Sequence, residues 1–169
     1  MAFEWDEVRL DEVAELNGGY AFKSEDYTSS GRFVLRTVNI TESGRITREG
    51  ATFVDEGRAE EYERFSLKPM DTLFVMVGAT LGKTGIITPR DLPALLNQNM
   101  WVVRANPLKV NPLFLHYCFT EASKTQVGFA FLVVEGKYWW VHRHCSEDAP
   151  VNVTFRAVSK GILLSFRPP

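Results

Sequence analysis

Residues 71–104 run DTLFVMVGATLGKTGIITPRDLPALLNQNMWVVR. Thr72 to Val77 is an apolar run that reads as a buried strand, and it breaks at Gly78. A glycine-punctuated loop follows, through Gly82 and Lys83 to Gly85. Ile86 and Ile87 read as a second short strand, and Asn97-Gln98-Asn99-Met100 leads into a third apolar run, Trp101 to Val103. Strand, glycine turn and strand at this spacing predict a hairpin-rich sheet whose loop presents Lys83 and Thr84.

A lysine and a threonine behind a glycine raise the question of phosphate binding. A P-loop needs four residues between its glycines, to form the nest of backbone N–H groups, and a helix straight after the lysine. Gly78 and Gly82 enclose three residues. Thr84 to Pro89 is a poor helix start, with Gly85, two β-branched isoleucines and then Pro89. The segment reads as a tight turn between strands, and an NTP-binding enzyme would rest on this broken motif alone.

Upstream, Glu4 to Leu16 carries apolar residues at Trp5, Val8, Leu10, Val13 and Leu16. Val8 and Leu10 fit a short strand; Asp11 is placed to cap a one-to-two-turn helix through Leu16, ended by Asn17-Gly18-Gly19. Phe33 to Ile40, FVLRTVNI, is an alternating β run with Arg36 and Asn39 among apolar neighbours. Arg36 has two readings: an ion pair to an acid such as Asp71, or a contact to phosphate or to guanine O6 and N7. Asn39 reads as closing a turn. Thr41-Glu42-Ser43-Gly44 is a further turn, followed by surface arginines Arg45 and Arg48. Ala51 to Val54 reads as a short strand, and Glu56 to Phe65 as a helix with a solvated acidic face. Leu67 to Asp71 turns the chain into the Thr72 strand. Downstream, Asn106 to Pro112 is a double-proline linker, and Leu113 to Ala122 reads as a helix with Pro112 in its first turn.

The order of these signals resembles the target-recognition domain of type I restriction–modification DNA specificity (S) subunits. That family has an Asp-led strand, a G-x-x-x-G-K loop and an N-Q step into the next strand, as in DTLFVMVGATLGKTGII and LLNQNMWVVR here. Trp5-Asp-Glu-Val8-Arg-Leu10, Gly18-Gly19 and GRFVLRTVN at 31–39 fit its opening. The resemblance is clear over residues 5–119 and weak over 120–169, where GFAFLVV and YWWV are unusually apolar and read as strands, an exposed patch or a disturbed segment. Phe155 to Pro169 is loosely similar to the family's short strand and Pro-Pro lead into a long helix.

The resemblance implies an α+β fold, a twisted and mostly antiparallel sheet with a few peripheral helices, forming a single domain over 1–169. It implies a DNA sequence-recognition module that does no chemistry itself. The family's methyltransferase (M) subunit binds S-adenosylmethionine and flips the adenine. Complete S subunits have two recognition domains separated by long helices, so the chain corresponds to half of one, without the spacer. Candidate DNA-contacting residues are Arg36, Lys83, Thr84, Asn97, Gln98 and Asn99. The alternative for Asn97 and Gln98 is to pin their loop to the sheet, and we favour it: a motif shared by readers of different sequences is poorly suited to specificity. Implied partners are double-stranded DNA and the M subunit. A second class of function is an interaction or regulatory fragment, docking on the M subunit or forming a homodimer through the apolar 128–141 segment without productive DNA binding.

Composition bounds these readings. The 169 residues suit one domain with a real core, 45% hydrophobic and 24% charged. No apolar run approaches the ~20 residues of a membrane helix. Cys118 and Cys145, in a chain whose N-terminus is acidic and polar, suggest reduced thiols in a cytoplasm. The net charge of −2 argues against a generic nucleic-acid binder, but the first 30 residues carry eight acids against Arg9 and Lys23, so the remainder is net +4. His142-Arg-His144-Cys145 with His116 and Cys118 offers metal-ligand types but not the usual zinc spacing. No nucleophile elbow and no adenine-methyltransferase motif are present, so neither metal, cofactor nor catalytic residue is assigned.

Overall fold

The computed structural model describes residues 8–124 and the backbone of four later strands within 130–166; side chains are described from Leu10 to Thr120. In chain order the elements begin with β1 (Val8–Arg9), α1 (Leu10–Val13), β2 (Ala14–Gly18), β3 (Tyr27–Thr28), β4 (Arg32–Leu35) and β5 (Thr52–Val54). They continue with β6 (Thr72–Val75), β7 (Thr84–Ile86), β8 (Ala94–Leu96), β9 (Met100–Ala105) and α2 (Pro112–Lys124). The last four strands are β10 (Ala130–Val134), β11 (Lys137–Val141), β12 (Val153–Val158) and β13 (Gly161–Phe166).

The fold is α+β, with mostly antiparallel sheets and few helices, as the resemblance implied. Its centre is two four-stranded sheets. One has the order β2-β9-β6-β7, all antiparallel. The other has the order β3-β5-β4-β8, with β4 and β8 parallel. β10 pairs with β11, and β1-β13-β12 form a three-stranded sheet.

The period-two pattern of β6 explains the layering. Leu73 and Val75 join Phe33, Leu35, Leu96 and Met100 in a core between the two four-stranded sheets. Phe74 and Met76 join Val13, Val103, Leu115 and Phe119 in a second core, beneath α1 and α2. Phe22, Val34, Val54, Tyr62 and Leu95 form a third, under a long 3-10 run over Glu56–Phe65. All four β6 residues are therefore buried. The strand stops at Val75, short of the expected Val77, whose side chain is exposed.

Two local expectations are corrected. The helix expected from Asp11 to Leu16 is only Leu10–Val13; Ala14–Gly18 is a strand. Its register with β9, from Ala14 opposite Ala105 to Gly18 opposite Trp101, supplies partners that a solvent-facing helical turn would lack. Arg36 does not pair with Asp71. Arg104 does, through two bonds of 2.8 and 2.7 Å to the carboxylate of an almost fully buried Asp71. The short strand expected after residue 155 falls where β12 and β13 pair, and the Pro168-Pro169 end lies outside the described residues. Of the apolar stretches GFAFLVV and YWWV, Ala130–Val134 and residues 138–141 lie in the β10–β11 pair.

Candidate nucleic-acid interface

One edge of the two central sheets gathers most of the residues singled out above. Gly18 at the end of β2 faces Trp101 near the start of β9; Val75 at the end of β6 faces Met100; Phe74 faces Thr84 at the start of β7. Leu35 and Leu96, the ends of β4 and β8, lie side by side at the same edge. The turn Asn97–Asn99 crosses from one sheet to the other there. Its bonds tie four segments together: Asn97 N–H donates to Leu35 O (3.0 Å), Gln98 N–H to Tyr20 O (2.8 Å), and Met76 N–H to Asn99 O (2.9 Å). Gly19 N–H donates to Met100 O at 3.1 Å. A Cβ on Gly19 would stand 2.0 Å from the Asn97 carbonyl oxygen, so only glycine allows the chain to pass this close.

The Thr41–Arg45 turn completes the edge. Thr41 N–H donates to Arg45 O (2.8 Å), Gly44 N–H to Thr41 O (3.0 Å), and Arg45 N–H to the Thr41 hydroxyl (3.0 Å). Ile86 N–H reaches Gly44 O at 3.3 Å, so the turn docks on the otherwise open side of β7.

The six candidate residues divide by environment. Gln98 and Asn99 are exposed at the rim of this edge, Asn99 in the left-handed region with φ of 71°. Asn97 is buried, and its amide donates to the Tyr20 carbonyl (3.5 Å) and the Tyr27 hydroxyl (3.2 Å). That pins the turn to the neighbouring sheet. Arg36 is half-buried and donates to Gly50 O at 2.7 Å. The Lys83 side chain is 16% exposed, and its ammonium lies 2.6 Å from a Glu42 carboxylate oxygen that projects into solvent. Thr84 corrects the expectation that the loop presents it. It is buried in β7, its hydroxyl 3.1 Å from that of Thr120 on α2.

The glycine loop has its own logic. Leu81, Gly82 and Lys83 N–H groups donate to Gly78 O, Val75 O and Thr80 O at 3.2, 3.0 and 3.0 Å. They are thus turned inward, and a strand follows Lys83 where a P-loop places a helix. Gly78 and Gly82 adopt φ of 93° and 86°, the left-handed turn that glycine favours.

Residues that sequence reading did not select as candidates also stand here. Val77, Leu81 and Arg45 are exposed on the two turns, and Glu42 faces Lys83. Glu42 is 41 positions from Lys83 in sequence, and only the docking of its turn on β7 brings them together.

Away from the edge, the ionisable groups serve packing. The hydrogen bonds to Asp71 hold the Arg104 guanidinium above its ordinary pKa, at the opposite end of β6. Burial lowers His116, whose ring nitrogens lie 3.4 Å from the Thr72 and Thr120 hydroxyls. Burial pushes the Cys118 thiol up to about 11, so it carries little thiolate at neutral pH. Among the described residues no three His, Cys, Asp or Glu side chains cluster as a metal site, and no helix is long and apolar enough to cross a membrane. His142, His144 and Cys145 lie outside the described residues.

The architecture is that of specificity-subunit recognition domains. It aligns with the HsdS subunit of Thermoanaerobacter tengcongensis at a TM-score of 0.54 and 17% identity, over 71% of this chain and 28% of that one. A chain from a structure of a type I R-M system aligns equally well, at 0.54 and 20% identity, over 76% and 31%. At these identities the likeness is one of fold. Sequence carries it further: residues 3–136 match the type I restriction modification DNA specificity domain, and the chain belongs to that family. It is 28% identical over 134 residues to the MjaVIII specificity subunit of Methanocaldococcus jannaschii, covering 74% of this chain and 31% of the relative. It is 30% identical over 99 residues to the EcoAI specificity subunit of Escherichia coli, covering 57% and 17%. The chain thus spans a third or less of the length of these relatives.

Proposed function

We propose that this chain is a non-catalytic DNA sequence-recognition module of a type I restriction–modification system, acting in the cytoplasm in company with a methyltransferase subunit. Membership of the DNA specificity domain family over residues 3–136 carries the reading. The sheet edge supplies the chemistry. Of the pair expected to pin the turn, Asn97 does so through its side chain, whereas Gln98 is tied only by its backbone N–H and leaves its amide exposed beside that of Asn99; such amides are the side-chain type that bonds adenine N6 and N7 together in the major groove. We assign Lys83 and Arg45 to phosphate, a contact that fixes register without reading sequence. Asn97, Thr84 and Arg36 act behind them, holding the turn, the β7 start and the Gly50 loop in place.

Fluorescence anisotropy on a labelled duplex library, with and without the methyltransferase subunit, tests this. Gln98→Ala should weaken binding by about 1–3 kcal/mol on some sequences and leave others unchanged. An equal loss on every duplex would remove Gln98 from the base-reading set. No binding to any duplex, with or without the subunit, would end the DNA reading.

A further inference from the structure

The turn that docks on β7 places a carboxylate beside Lys83, a cation at the proposed DNA-facing edge. Glu42 is 94% exposed, yet it lies 2.6 Å from the Lys83 ammonium, whose own side chain is 16% exposed. The turn beneath Glu42 is held by its own backbone and Thr41 bonds and by Ile86 N–H, so the acid is delivered by a rigid frame. The pair sits on the edge that also exposes Gln98 and Asn99. An ion pair this open to water contributes little to folding. Placed at a DNA-facing edge, it changes the electrostatics considerably, because it cancels the positive charge that phosphate would meet.

We propose that the Glu42 carboxylate is an internal stand-in for phosphate. It occupies Lys83 in the free protein and must be displaced when DNA binds. The inference rests on the DNA-recognition reading and adds a regulatory contact to it. Its consequence is weak attraction to arbitrary DNA: the edge gains the Lys83–phosphate contact only by giving up the Lys83–Glu42 one, and Glu42 then repels the backbone. Only a duplex that also satisfies the exposed amides outweighs that exchange. The specificity ratio rises because the non-specific term falls.

Glu42→Gln keeps the shape of the side chain and removes its charge. The full chain carrying it should bind a mixed-sequence duplex about 3–10-fold more tightly near 0.1 M salt, with a salt slope steeper by about one unit. In a Lys83→Gln background the same substitution should gain less than about twofold, because no ammonium is left to release. The thermal midpoint should stay close to that of the unaltered chain, which separates this role from a structural one. Unchanged or weaker binding by Glu42→Gln, with the unaltered chain still binding, would overturn the proposal, as would an equal gain without Lys83. Failure of every variant to bind any duplex, with the methyltransferase subunit present, would instead overturn the DNA-recognition reading itself.

Discussion

Phe74 shows how much one side chain can hold in a fold of thin layers. It is 2% exposed, and its ring meets that of Phe119 edge-on, with centroids 6.0 Å apart. It therefore joins β6 to α2 across the core that also holds Val13 and Leu115. Phe74→Ala should cost about 3–5 kcal/mol, read from urea unfolding. A loss below about 1 kcal/mol would show that the site collapses around the gap or that α2 does not press on it. Asp71 teaches the complementary lesson. A buried carboxylate needs a full set of partners, and it finds Arg104 and the Lys68 N–H (2.7 Å). The Asp-led strand motif is thus explained by packing, since the acid caps the turn into β6 and anchors the β9 arginine beside it.

At the scale of elements, α2 is bound to the first central sheet by more than apolar contact. Thr72 on β6, Thr84 on β7, and His116 and Thr120 on α2 form a line of polar atoms at 3.1–3.4 Å. Burial disfavours the charged imidazolium, so the folded pKa of His116 lies below its ordinary value of 6.5. Between the two values the unfolded chain binds more protons than the folded one. Stability from this site is therefore full above about pH 6.5 and is lost as the pH falls toward the folded value. The thermal midpoint should drop on acidification from pH 7 to 5, and His116→Gln should flatten that part of the profile. A variant whose profile tracks the unaltered chain would assign the acid sensitivity to other groups.

For the whole molecule, charge and valency set the expected affinity. The net charge of −2 provides little long-range attraction to DNA. A complete specificity subunit would hold two recognition domains on one duplex, and the second contact then benefits from high effective concentration, worth about 100-fold or more. Residues 3–136 match one specificity domain, so binding by these residues alone should be micromolar or weaker in physiological salt, with modest sequence preference. Addition of the methyltransferase subunit should tighten it. Titration by anisotropy at fixed salt checks both statements; nanomolar, sequence-selective binding by the chain alone would contradict them and point to a dimer that restores both contacts.

Much of the architecture was legible in the amino-acid order itself. Short apolar runs placed the strands near residues 33, 73 and 102, glycines marked the turns, and Pro112 marked the start of α2, because these signals act over a few neighbouring positions. Their order was enough to suggest the family. What the chain's local pattern left open was which polar residue meets which. Arg36 reads as a partner for Asp71 until the register of β9 on β6 brings Arg104 there instead. Thr84 reads as a loop residue until α2 covers it, and residues 14–16 read as helix until β9 supplies their hydrogen bonds. Lys83 reads as a free cation until the docked turn delivers Glu42. In each case the deciding contact spans more than 30 residues, and sheet pairing, which no short window of sequence contains, sets the surface that the molecule offers to a partner.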